Sequence, residues 1–198
     1  MQQLLLDIHP TAQPTLDNFI TGPNVELLAH LKHWLNGETQ ETALYLWGAP
    51  GSGRTHLLRA LAAAHPGLAV TDDIEQLNDA QQIAAFDSYN HARAERKLWL
   101  AAGQNAPNGL NVRADLRTRL GWGLVYRILP LSDTDKQNAL ARHAQGLGFD
   151  LDPAITTWLL THQTRDLGKL LQIVEALNRY SLQTKRRITL PLLKEVLP

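Results

Sequence analysis

Residues 48–55 read Gly-Ala-Pro-Gly-Ser-Gly-Arg-Thr, which fits G-x-x-x-x-G-K-[ST] except that Arg54 stands at the lysine position. Gly48, Gly51 and Gly53 let the backbone curl so that successive N–H groups face one point, an arrangement suited to phosphate oxygens. The apolar run Leu44–Trp47 before the loop predicts a strand, and the Ala/Leu-rich stretch Thr55–His65 after it predicts a helix. That helix would add its positive N-terminal end to the attraction for an anion. Gly48, Gly51, Ser52, Gly53, Arg54, Thr55 and His56 are therefore candidate nucleotide-binding residues, with the Thr55 hydroxyl a candidate Mg2+ ligand. Arg54 keeps the lysine's charge but replaces a compact ammonium by a planar fork. Phosphate binding is expected to survive that exchange; hydrolysis at this site is expected to suffer.

The second half of such a site is read in "LAVTDD". A hydrophobic strand ending at Asp72 would present a carboxylate to the same magnesium, with Asp73 beside it. Sixteen residues lie between Thr55 and Asp72. That is room for one helix and no further strand–helix pair, so an edge strand common in such sheets is expected to be missing.

Around these residues the chain alternates strand and helix patterns up to Pro130. Val25, Leu27, Leu28, Leu31 and Leu35 form a helical stripe stopped by Gly37. Asp79–Lys97 reads as a helix with Ile83, Phe86, Tyr89 and Asn90 near one face, and 98–102 and 123–128 read as strands. From Leu131 no further strand is legible. "LSDTDK" is a capping box with Ser132 and Asp135 as partners, and three or four helices follow, broken at "GLGFDLDP" and near "HQTRD". The expectation is an α/β parallel sheet with helices on both faces over 15–130, a small all-helical lid over 131–198, and a tail over 1–14.

Bulk composition narrows the function classes. Among 198 residues, 44% are apolar, 19 basic residues balance 19 acidic ones, and cysteine is absent. No net field draws the chain to nucleic acid or membrane. Disulfides and thiolate metal sites are excluded, and the absence of a signal-peptide pattern fits a cytoplasmic protein. His30 and His33 share a helix face without a third ligand, so no metal site is read there. Arg119, in "DLRTRLGWG", is either a surface residue of an amphipathic helix or a finger offered to a neighbour's γ-phosphate. Arg165, in "TRDLGKLL", either pairs with Asp166 or touches this chain's own phosphates. Spacing does not choose between these options.

Taken together these residues resemble the AAA+ ATPases, and within them the DnaA/Hda group, over nearly the whole chain. "TLDNFITGPN" (15–24) is similar to the segment that opens the DnaA-type nucleotide domain and lines its adenine pocket. "FDSYN" (86–90), "RLGWG" (119–123), "LPLSDTDK" (129–136) and "RRITLPLLKEVLP" (186–198) resemble the Hda side of the group. The resemblance implies ADP or ATP with Mg2+ as cofactor, Arg119 as an arginine finger acting in trans and Arg165 as the lid's sensor 2 arginine. It further implies a negative regulator of replication initiation that stimulates hydrolysis of the ATP held by DnaA. "QLLLDI" (3–8) is similar to the peptide by which such proteins dock on the DNA polymerase III sliding clamp. Gln3 would make the polar contact, and Leu4, Leu6 and Ile8 would complete the clamp-binding set, Leu6 and Ile8 filling apolar subsites.

DNA would then be met only through the clamp, and self-association is left open. On the Hda side of the group no DNA-reading helix-turn-helix domain like that of DnaA is expected to follow the lid. Two features depart from the group: Leu100–Pro107 offers no Thr, Ser or Asp as sensor 1, only Gln104 or Asn105, and the segment before Asp72 is short. The residues alone also admit a stand-alone or clamp-loader-like ATPase, or an adaptor that recruits without affecting hydrolysis.

Overall fold

The computed structural model describes residues 13–196; Gln3, Leu4, Leu6 and Ile8, the expected clamp-binding residues, lie outside them. The chain divides into two compact units, Gln13–Pro130 and the segment from Leu131 onward.

The first unit is built on four parallel strands: β1 (Ala43–Trp47), β2 (Ala69–Thr71), β3 (Trp99–Gly103) and β4 (Leu124–Arg127), in the order β2-β3-β1-β4. Period-two alternation sends successive side chains of β1 to opposite faces. Leu44 and Leu46 join Leu100 and Ala102 of β3 under helices α1 (Val25–Leu35) and α2 (Arg54–Ala64). Ala43 and Tyr45 join Trp99 and Ala101 on the other face, under α3 (Asp79–Ala94) and α4 (Ala114–Leu120). The parallel sheet with helices on both faces is as the alternating pattern predicts. Among the described residues no strand stands beyond β2, which is an edge strand of three residues following α2 directly.

Two local devices fix this frame. Asn24 does not cap α1. Its buried amide instead donates to the Leu129 carbonyl at 2.9 Å and accepts from the Leu129 N–H at 2.8 Å, pinning the chain as it leaves β4. Asn78 and Gln81 form a capping box that starts α3. The core face of α3 is Gln82, Ala85, Tyr89 and Ala92, so that of the expected face of Ile83, Phe86, Tyr89 and Asn90 only Tyr89 is fully buried. Ile83 is 45% exposed because the large Tyr89 and Trp99 rings, edge to face at 5.3 Å, set which side of the helix meets the sheet.

The second unit holds α5 (Asp133–Gly146), α6 (Pro153–His162), α7 (Leu167–Thr184) and α8 (Leu190–Val196). Ser132 and Asp135 make the capping box legible in the sequence, and Asp152 and Asp166 cap α6 and α7. Leu140, Leu159, Leu170, Val174, Leu177 and Leu193 form its core. No described helix is long and apolar enough to cross a membrane.

Candidate nucleotide-binding site

The loop between β1 and α2 leaves the C-terminal end of a central strand, where Gly48 N–H donates to the Gly103 carbonyl at 3.2 Å. Gly48 has no space for a side chain: an added Cβ would stand 2.7 Å from the Ile128 carbonyl oxygen. Gly53 sits at the N-cap of α2 with φ +98°, and a Cβ there would meet the Phe19 ring at 2.8 Å. These two positions keep the concave backbone open at the start of the helix.

Two buried polar atoms in this loop have no protein partner, Ser52 Oγ and Arg54 Nη1. Left alone, each such group costs about 1–3 kcal/mol. The other terminal nitrogen of Arg54 lies 3.3 Å from Asp73 Oδ1. Opposite them, the Thr55 hydroxyl donates to Asp72 Oδ2 at 3.3 Å, while Asp72 Oδ1 accepts the Asp73 N–H at 2.8 Å. An open backbone cradle, a buried guanidinium, an orphaned hydroxyl and a hydroxyl–carboxylate pair fit a phosphate chain with a divalent cation. Gly48, Gly51, Ser52, Gly53, Arg54, Thr55 and Asp72 are thus brought together, as are Asp73 and His56.

His56 also faces a strap formed by residues 13–19. Its Nε2 lies 3.0 Å from the Thr15 carbonyl oxygen, and its ring is 5.5 Å from that of Phe19. Thr15 and Asn18 exchange hydrogen bonds at 2.8 and 3.1 Å, which rounds the strap over the loop.

Glu75 was not singled out in the sequence. Its Oε1 accepts from the N–H groups of Gln104 and Asn105 at 2.5 and 3.0 Å and so fixes the loop after β3, while its Oε2 is buried without a partner. Tyr45 donates its hydroxyl to the Asn105 carbonyl at 2.8 Å. Burial pushes the Tyr45 hydroxyl well above its ordinary pKa; the Glu75 charge adds to the rise and Arg54 opposes it. The one available sequence signal was a third acid close after Asp72 and Asp73.

Arg119 is elsewhere. It lies in the last turn of α4 just before β4, at the end of the strands opposite the phosphate loop, and no ion pair among the described residues involves it. Its guanidinium lies over the Trp122 ring, 4.0 Å from the centroid. A cavity of about 860 Å³ at this end of the sheet is lined by Trp34, Glu41, Tyr89, Arg93 and Trp122. In the lid unit, Arg165 pairs with Asp133 rather than Asp166. Burial, then the nearby Arg165 charge, holds the Lys136 ammonium below its ordinary pKa, against the pull of Asp133 and Asp166.

Fold and loop together define a P-loop AAA+ domain with a helical lid. Residues 133–197 match the family model described as "Hda, lid domain". An uncharacterised protein of Haemophilus influenzae is 31% identical, with 99% of this chain and 98% of that protein covered. The 228 aligned positions, against 198 residues here, leave at least 30 without a counterpart in this chain. Among solved structures, domain III of the Thermotoga maritima replication initiation protein DnaA superposes with a TM-score of 0.75 at 17% identity, covering 96% of this chain and 97% of that one. AMPPCP-bound DnaA from Aquifex aeolicus gives 0.68 at 20% identity, covering 91% and 70%. A Thermotoga maritima RuvB variant gives 0.64 at 17% identity, covering 93% and 71%. The chain belongs to the Hda/DnaA-type family of AAA+ proteins.

Proposed function

We propose that this chain is a nucleotide-bound regulator of DnaA that presents Arg119 to ATP held by DnaA and is brought to DNA by the sliding clamp. The observation that carries this reading is the placement of Arg119. β1 and β4 are parallel and paired from Leu44↔Leu124 to Trp47↔Arg127. The phosphate loop follows the last residues of that ladder and Arg119 precedes the first. A strand of this length spans roughly 15 Å at about 3.3 Å per residue, so the arginine is set at the far end of the strand from its own loop. A guanidinium with no hydrogen-bond or ion partner among the described residues suits a phosphate chain bound by a neighbour.

The chain's own loop is given a ligand-holding role. Backbone N–H groups of residues 48–55 and the Arg54 guanidinium would hold the phosphates, and Thr55 with Asp72 would hold Mg2+. When bound, ADP or ATP with Mg2+ supplies the polyanion and cation that this cradle can neutralise. Independent turnover is disfavoured because Arg54 is tied to Asp73 and the segment after β3 offers only Gln104 and Asn105, whose N–H groups Glu75 engages. The proposal also gives Arg165 of the lid a role as a phosphate ligand, and Gln3, Leu4, Leu6 and Ile8 the clamp contact.

The test is hydrolysis of DnaA-bound ATP with and without this protein, in the presence of clamp and DNA. The parent protein is expected to accelerate it and Arg119→Ala to lose that effect by orders of magnitude, about 10³-fold or more. Full acceleration by the alanine variant would leave recruitment as the better description. Equal ATP turnover by this protein alone would make it a stand-alone ATPase.

A further inference from the structure

A lone exposed arginine samples many rotamers, and only the fraction in the productive one acts at any instant. Arg119 is not left in that condition. Its carbonyl accepts the Trp122 N–H at 3.1 Å, closing a turn through Gly121 that brings the Trp122 side chain back to the arginine. The guanidinium carbon then lies 4.0 Å from the Trp122 centroid, with Phe86 and Tyr89 of α3 more distant at 5.6 and 5.9 Å. Arg119 Nε is buried without a partner, whereas its terminal nitrogens make no hydrogen bond among the described residues. Trp122 itself is 53% exposed, and Arg93 lies over the same ring at 5.3 Å.

A carboxylate would hold an arginine more strongly, but it would occupy the fork. An aromatic face restrains the guanidinium plane and leaves its outer donors open. A second cation beside the ring keeps the surroundings positive, favourable for an approaching polyanion.

The geometry points to Trp122 as the positioning residue for Arg119, its ring holding the guanidinium with the donor edge turned outward. This rests on the finger reading above and adds a residue that acts only through the arginine.

The experiment measures DnaA-bound ATP hydrolysis on DNA-loaded clamp as a function of the concentration of the full chain. Variants are Trp122→Leu, Trp122→Phe, Arg119→Ala and the Trp122→Leu/Arg119→Ala double. Trp122→Leu is expected to lower the saturating rate about tenfold, the loss of one cation–π restraint, with the half-saturating concentration within about twofold of the parent's. Trp122→Phe should retain most of the rate because a ring face remains. The double variant should be no slower than Arg119→Ala.

Should Trp122→Leu fail to fold by circular dichroism, Trp122→Met, also without a ring, replaces it. A saturating rate unchanged in Trp122→Leu, where Arg119→Ala abolishes stimulation, overturns the positioning role and leaves the finger standing. A raised half-saturating concentration with an unchanged maximum makes Trp122 a docking contact instead, which also overturns it. Full stimulation by Arg119→Ala sinks the finger reading itself.

Discussion

Glu75→Ala removes one carboxylate that holds two backbone donors. The Gln104 and Asn105 N–H groups both terminate on Glu75 Oε1, at 2.5 and 3.0 Å. Hydrogen bonds to a charged acceptor contribute about 1.5–3 kcal/mol each. Both amides belong to exposed residues that water can partly serve, which argues for the low end and a total near 3 kcal/mol. At about 2–4 °C per kcal/mol for a chain of this size, the melting temperature should fall by roughly 6–12 °C. Glu75→Gln keeps an acceptor without the charge and should lose about half as much, since charge-assisted bonds are roughly twice as strong as neutral ones. Thermal denaturation gives the magnitude, and amide hydrogen exchange gives the place. Gln104 and Asn105 should lose protection before the rest of β3 does. A Glu75→Ala protein melting within about 1 °C of the parent, with those two amides unchanged, would show that Glu75 does not hold this loop.

ADP with Mg2+ at about a hundred times its dissociation constant should stabilise the protein by about 2.7 kcal/mol, and Gly53→Asp should abolish that shift. The added side chain collides with Phe19 and places a negative charge where phosphate would sit; a shift retained by the variant would remove the loop as the binding site. Tyr45→Phe loses the bond to the Asn105 carbonyl and should cost about 1 kcal/mol at neutral pH. Because the folded-state pKa of Tyr45 is raised, its contribution is fully present below the unfolded value near 10 and is lost as pH rises above it. Parent and variant melting temperatures should therefore converge above about pH 10; a constant gap would refute the burial argument. Gln3→Ala with Leu6→Ala should eliminate binding of the intact protein to the sliding clamp, and normal binding by that variant would remove the tail from the proposal.

The parts legible in the sequence were those governed by short-range rules. The phosphate loop announces itself through glycines at fixed offsets, and Asp72 follows from a hydrophobic run ending in acids. Ser132 and Asp135 needed only capping chemistry. The face of α3 was misjudged because Ile83 is as hydrophobic as any core residue; only the long-range Tyr89–Trp99 contact decides the helix's rotation. Glu75 was missed because its partners are backbone amides thirty residues away, which carry no side-chain signal. The surroundings of Arg119 depended on a turn through Leu120 and Gly121 that periodicity does not reveal.

The short strand β2 has one further consequence. Among the described residues it pairs with β3 alone, through Ala69–Thr71, and Val70 is 39% exposed on it. Asp72, the proposed cation ligand, hangs from the end of this strand. Opening free energies vary across a protein, and the elements with fewest buried contacts and most accessible hydrogen bonds open first. The carboxylate half of the site therefore belongs to a weakly buttressed segment, while the loop half springs from β1 at the centre of the sheet. Local opening of β2 would dismantle the cation site without disturbing the phosphate cradle, so affinity for the metal and affinity for the phosphates need not rise and fall together.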